Sequence, residues 1–241
     1  MPDEIFDNPR LAAIYDAFDG TRKDLDNYLA IVKELQAKSV IDVGCGTGSL
    51  ASRLTADGYD VIALDPAAAS LEIARRKPAA EKVRWIHGYA MDLPKVGADL
   101  ALMTGNVGQV FLTDESWHAT IDAINGALRS GGYFVFEVRD PERKDWQNWT
   151  KDKTFERIDV PNIGVVEGWC EVLEVSDELV SFRWTYVFES DRAILTSDST
   201  LRFRCREDIV ASLEKSGFSV ESIRDAPDRP GKEFVFVCRV G

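Results

Sequence analysis

VIDVGCGTG, residues 40–48, decides how the rest of the chain is read. An apolar run meets an acid at Asp42, and then Gly44, Gly46 and Gly48 alternate with Cys45 and Thr47. A buried strand that ends in such a turn and opens a helix aims free backbone N–H groups at one point. Glycines let a ligand approach the backbone closely, and the helix N-terminus favours a negative group. Dinucleotide enzymes use this device with the spacing G-x-G-x-x-G. Here the spacing is G-x-G-x-G. A second cofactor class and a plain strand-to-helix turn both remain open at this point, and the neighbouring strand ends choose between them.

Outward from the loop, the apolar pattern is that of a doubly wound α/β sheet. SVIDVG, DVIALD, KVRWIHG, ADLALMTG and GYFVFEV are short apolar runs bounded by Gly, Pro or acids, as in buried parallel strands. Helical spacing predicts helices over Gly48–Ala56, Pro66–Arg76 and Asp114–Leu128, the last with Thr113 or Asp114 as N-cap and Gly131 beyond its end. Upstream, Leu25, Tyr28, Leu29, Val32 and Leu35 recur at helical spacing, and a shorter helix is expected over Leu11–Phe18. After Arg139 the rhythm breaks, and residues 141–152 read as a loop or short helix holding Trp146 and Trp149.

Period-two alternation follows. Phe182, Trp184, Tyr186 and Phe188 share one face, segments 163–174 and 193–204 alternate similarly, and Ser190-Asp191-Arg192 reads as a hairpin turn. REDIVASLEKSGF then predicts a helix closed by Gly217, with strands in SVESIRD and EFVFVCRV. The expected organisation is one domain, 1–152 with 205–241, whose first 38 residues form a helical lid. Residues 153–204 are an antiparallel β insertion, a substrate cap or dimer element.

Composition narrows the partners. The net charge of −12, from 41 acids against 29 bases, argues against a nucleic-acid partner. The N-terminus shows no apolar core of signal-peptide length, and no apolar run approaches about 18 residues, so no membrane association and a cytoplasmic location are expected. The four scattered cysteines suit reduced thiols, and with two histidines no metal site is expected.

Four strand ends together carry a resemblance. Asp42 two residues before the first glycine of G-x-G-x-G resembles motif I of the class I S-adenosylmethionine-dependent methyltransferases. VIALD ends in Asp65, followed by Pro66; an acid there can accept from both hydroxyls of a ribose, in NAD or in S-adenosylmethionine. HGYAMDLP is similar to the family's G-D-A-x-x-L-P, keeping Gly88, Ala90, Leu93 and Pro94 but with Tyr89 in place of the acid that contacts adenine. MTGNVGQVF sets Thr104, Gly105, Asn106 and Gln109 at the carboxyl edge of the sheet, where ligands of open α/β folds bind.

The resemblance covers roughly residues 37–140 and 206–240. It implies a seven-stranded sheet of order 3-2-1-4-5-7-6 with the last strand antiparallel, S-adenosyl-L-methionine as cofactor and S-adenosyl-L-homocysteine as product. The implied cofactor-binding residues are Asp42, Gly44, Cys45, Gly46, Asp65, Pro66, Tyr89, Ala90, Met91, Asp92, Thr104 and Asn106. Arg22, in the N-terminal lid, is expected to pair with the methionine carboxylate.

Methyl transfer from a sulfonium needs mainly alignment and desolvation, and a base only where the acceptor must lose a proton. No compelling base stands out; Tyr15, Asn106 and Arg139 are the catalytic candidates, while His87 and His118 read as edge and surface residues. The D/N-P-P-aromatic motif of DNA amino-methylases is absent after strand four, and no acid pair marks a metal-dependent catechol methylase. A small-molecule acceptor is therefore expected, in a pocket lined by Arg139, Trp146, Trp149 and the aromatic face of 182–188, on a monomer or homodimer. The rival readings are a non-catalytic S-adenosylmethionine-binding regulator, an NAD-type oxidoreductase and a nucleic-acid methylase.

Overall fold

The structure is a computed structural model that describes residues 1–241. Five strands alternate with helices as the apolar runs predict: β1 (Ser39–Val43), α4 (Ser49–Ala56), β2 (Asp60–Asp65), α5 (Ala68–Ala74), β3 (Arg84–His87), β4 (Ala98–Met103), α6 (Asp114–Ala127) and β5 (Leu128–Arg139). Ahead of them lie α1 (Glu4–Asp7), α2 (Pro9–Asp19) and α3 (Asp24–Glu34). After them come α7 (Lys151–Thr154), β6 (Glu156–Val160), β7 (Gly164–Ser176), β8 (Leu179–Phe188), β9 (Ile194–Arg202), α8 (Arg206–Lys215), β10 (Phe218–Asp225) and β11 (Glu233–Val240).

The main sheet has the order β10-β11-β5-β4-β1-β2-β3. This is the expected 3-2-1-4-5-7-6 once the inserted strands are left out of the count. β1 to β5 are parallel, and β11 runs antiparallel to both β5 and β10. The pleat sends Ile41 and Val43 to one side, into a core with Trp117, Ile121 and Ile124 of α6 and Ile209 and Leu213 of α8. Val40, Leu100 and Val135 face the other side, against α3 and α4. Helices thus cover both faces, which is why the strands read as continuous apolar runs.

The four inserted strands form a second, antiparallel sheet in the order β6-β7-β8-β9. Its core is shared. Ile5, Leu11 and Ile14 of the N-terminal helices pack with Val160, Val166, Tyr186 and Phe188 of the sheet. A Cβ on Gly168 would lie 2.6 Å from Phe18 and 2.9 Å from Tyr186, so β7 is bare where α2 presses on it. Ile5 N–H donates to Ser197 Oγ at 2.9 Å, and Arg10 pairs with Asp191 at 2.8 Å. The first helices therefore belong as much to the inserted sheet as to the main one.

Two boundaries differ from expectation for physical reasons. β5 begins at Leu128, directly after α6, so Gly131 is not a helix end but a bend within the strand, at φ 70°. The register against β4 shifts at that bend. α5 starts only at Ala68, because Asp65 Oδ1 accepts the Ala67 N–H at 2.8 Å and holds the entry extended. No helix is long and apolar enough to cross a membrane.

Candidate functional site

The glycine loop turns sharply under the end of β1. Gly44 sits at φ 72° and Gly46 at φ 51°, backbone that side chains rarely adopt. The two glycines serve different ends. A Cβ on Gly44 would lie 2.8 Å from both γ carbons of Val107, so its bareness lets the turn after β4 close on the loop. A Cβ on Gly46 would meet nothing within 4 Å; that face of the loop is open.

Asp65 braces the opening. It is buried, and its Oδ2 accepts the Gly46 N–H at 2.8 Å while Oδ1 holds Ala67. A carboxylate oxygen has a second lone-pair site, so both oxygens retain capacity for hydroxyl donors. Burial pushes this carboxyl above the ordinary carboxylate range, against the pull of its two N–H donors.

Asp42, inside β1, is 1% exposed, and its Oδ2 has no hydrogen-bond partner. Burial first, and the charge of Asp65 second, push this carboxyl up to about 7. A buried carboxylate oxygen without a partner is costly, and a cationic group at the loop would offset that cost. An orphaned acid for an ammonium, an open glycine face and a braced acid for a ribose fit the cofactor that the resemblance implies.

The N-terminal helices are tied to this loop by ions. Lys77 Nζ lies 2.7 Å from Asp16 of α2, and it donates to Ser49 Oγ at 2.7 Å and to Thr47 Oγ1 at 3.2 Å. Thr47 Oγ1 also donates to Asp16. Tyr15, one residue earlier, is half-buried against Phe6, and burial, then Asp19, raises its hydroxyl so that it stays protonated. Arg22 is not a free cation: Asp19 holds it at 2.7 Å and Asp24 at 3.0 Å. Its expected pairing with a cofactor carboxylate would have to compete with these two acids.

At the next strand end, Tyr89 and Met91 are exposed and Ala90 is buried. Asp92 does not stand in for the acid that Tyr89 replaces. Its carboxylate turns back to accept the Tyr89 N–H at 2.9 Å and caps the turn. His87 Nε2 lies 3.0 Å from the Pro66 carbonyl and is exposed, and His118 Nδ1 lies 2.7 Å from the Asp114 carbonyl and is half-buried.

The ends of β4, β5 and β11 form a buried polar network that the sequence reading touched only in part. Asn106 is left-handed at φ 60° and 4% exposed; its Nδ2 donates to Glu233 Oε1 at 3.0 Å, and its Oδ1 has no partner. Glu137 Oε1 accepts the N–H groups of Gly105 at 2.6 Å and Asn106 at 3.2 Å. Burial and then Glu233 push the Glu137 carboxyl up to about 7. Arg229 pairs with Glu233 at 2.7 Å, and Gln109 Oε1 accepts Arg139 Nη1 at 3.1 Å. Thr104 is buried beside them.

Glu137 was missed although, like Asp42, it is an acid inside an apolar run. For Glu233 and Arg229 the sequence carries no local signal.

The expected acceptor wall is divided. Trp146 and Trp149 line an open cleft of about 900 Å3 with Phe203, Val172 and Val175, and no glycine-loop residue borders it. Phe182 packs on Trp149 at 4.8 Å, whereas Tyr186 and Phe188 turn into the core shared with α2. Arg139 lies behind Trp149, its guanidinium carbon 5.6 Å from the ring.

Residues 40–132 match a family described as methyltransferase domain. An uncharacterized methyltransferase of Mycobacterium tuberculosis is 32% identical over 117 residues, 46% of this chain and 44% of that protein. The match thus spans less than half of the relative's length. Among solved structures, an S-adenosylmethionine-dependent methyltransferase from Clostridium acetobutylicum superposes with a TM-score of 0.79 at 18% identity, covering 97% of this chain and 99% of that one. An amino pentose methyltransferase from Micromonospora echinaspora, solved with S-adenosylmethionine bound, gives a TM-score of 0.71 at 20% identity over 93% of this chain and 94% of that one. Coverage of 97% is too high to omit β6–β9, so the inserted sheet is part of the shared fold.

Proposed function

Because residues 40–132 match the methyltransferase domain family and sit in a seven-stranded sheet of the order that the resemblance implies, we propose that the protein transfers a methyl group from S-adenosylmethionine to a small-molecule acceptor. One observation carries this reading: Asp42, a buried acid with an unpartnered oxygen, beside a glycine loop whose outer face is open. The fold likeness to an amino pentose methyltransferase, and a net charge of −12, support a small molecule over a nucleic acid.

When bound, the cofactor supplies a methyl group on a sulfonium, with a good leaving group. The chain supplies the rest. Asp42 offsets the positive charge of the ammonium and Asp65 accepts from the ribose hydroxyls while it keeps Gly46 and Ala67 in place. Gly46, lacking a side chain, admits the cofactor to the loop. Tyr89, Ala90 and Met91 border the base. Tyr15, packed on Phe6 at the N-terminal helices, excludes water from the methyl group, while Tyr186 seats α2 by packing on Phe18. The polar network of Asn106, Gln109 and Arg139 orients the acceptor, and alignment is the main source of rate.

Calorimetry with S-adenosylmethionine, S-adenosylhomocysteine and NAD tests the cofactor. Binding of NAD alone would sink the proposal. Formation of S-adenosylhomocysteine with a panel of amines, alcohols and acids then separates an enzyme from a sensor, which binds without turnover.

A further inference from the structure

Arg139, the last residue of β5, is the least matched charge in the polar network. Of its guanidinium nitrogens only Nη1 makes a hydrogen bond, to Gln109 Oε1 at 3.1 Å, a neutral acceptor. The nearest carboxylate oxygen, Glu233 Oε1, is 4.0 Å from Nε. That oxygen already receives Asn106 Nδ2 at 3.0 Å and Arg229 Nη1 at 2.7 Å. Nε and Nη2 are left with no protein acceptor, and the side chain keeps 21% of its surface exposed.

The guanidinium is nevertheless fixed. Gln109, 1% exposed, also accepts the Arg139 backbone N–H at 3.3 Å and reaches the Arg202 carbonyl at 3.5 Å. The Trp149 ring backs the cation at 5.6 Å. A guanidinium held from two sides with one edge free matches the geometry of an oxyanion bound through two parallel bonds.

Its position ties it to the methyl-transfer site. Val107 packs on Gly44, and Gln109 lies two residues further along the same turn. On the opposite side, Arg139 draws down the Cys170 thiol that burial raises, and Cys170 and Tyr15 both act on Tyr186. Arg139 therefore lies within electrostatic reach of Cys170 on β7.

We propose that Arg139 receives an anionic group of the methyl acceptor, a carboxylate or a phosphate, with Gln109 as the residue that positions it. This rests on the methyltransferase reading. A purely structural Arg139, present only to neutralise Glu137 and Glu233, is opposed by the 4.0 Å separation and by the closer partners Glu233 already has.

The test uses full-length protein saturated with S-adenosylhomocysteine and titrated calorimetrically with inorganic phosphate or with succinate, at matched ionic strength. Saturable binding of phosphate marks a phosphorylated acceptor, and of succinate a carboxylate. Arg139→Gln and Arg139→Lys should each weaken the bound anion at least about tenfold, with affinity for S-adenosylhomocysteine unchanged. Gln109→Glu should do the same by supplying an internal carboxylate, whereas a merely structural Gln109 would leave anion binding as it was.

Binding of neither anion, or equal affinity in the wild type and the Arg139 variants, overturns the proposal. Should Arg139→Gln not fold, Arg139→Lys decides, because it keeps the charge and loses the two-bond geometry. If the wild type fails to bind S-adenosylhomocysteine, the methyltransferase reading falls instead.

Discussion

Gly44 and Gly46 are two residues apart in a turn that looks uniform in sequence, yet substitution should part them. Gly44→Ala drives a methyl group into Val107 as well as straining φ, so it should lower the melting temperature clearly. Gly46→Ala meets open space and costs only the left-handed strain of about 1 kcal/mol, but it should abolish S-adenosylmethionine binding by filling the approach. Thermal melts beside calorimetry check both, and a Gly46→Ala protein that still binds would contradict the assigned approach. Asp65→Ala should weaken cofactor binding by about 2 kcal/mol, through the lost ribose contact and the released loop.

Asp42 adds a pH signature. Its folded carboxyl titrates near 7 against an ordinary 3.8. The raised value means that its stability contribution is complete below about pH 4 and is lost as pH rises through about 7. The ligand-free protein should weaken from about pH 4 to 7, and Asp42→Asn should remove part of that loss; Glu137, also near 7, keeps the remainder. Cofactor affinity should run the other way, tightening between about pH 6 and 7.5 in the wild type but not in Asp42→Asn. The positions of Asp42 and Asp65 were legible because acids at strand ends break an apolar run. The unpartnered Oδ2 of Asp42 was not, since it depends on what packs around it.

At the scale of elements, α2 is the shared wall of two structures. Lys77 and Asp16 fasten it to the glycine loop, and Gly168 lets it press on β7. Gly168→Val should wedge Phe18 and Tyr186 away from β7, lowering turnover more than cofactor affinity. A parallel loss of both would show that the two attachments are one unit. Lys77→Met should loosen α2 at its other end, seen as faster amide exchange in residues 9–19.

The strands, helices and sheet order of the main domain were readable from periodicity, because buried parallel strands and amphipathic helices have distinct spacing. The attachments were not readable. Lys77 with Asp16, and Asn106 with Glu233, join positions far apart in the chain that no local pattern links.

At the scale of the molecule, the inserted sheet and the N-terminal helices share one core. β6–β9 complete the core that buries Ile5, Leu11 and Ile14. Removing residues 153–204 should leave that apolar face uncovered, giving dye-binding, aggregation-prone protein. The intact chain should unfold in a single transition; two separated transitions would show independent modules. The period-two alternation exposed the second sheet in sequence, but its partner, the N-terminal helices, became visible only in three dimensions.

The bond from Ile5 N–H to Ser197 Oγ joins residues 192 positions apart. During synthesis the first helices emerge early and meet the partners of that core only after the ninth strand, so their packing should be completed late. The last stage of folding and the admission of ligand would then be the same motion, α1 and α2 settling between two finished sheets. A nascent chain stalled before residue 194 would hold a formed glycine loop with no cover over it.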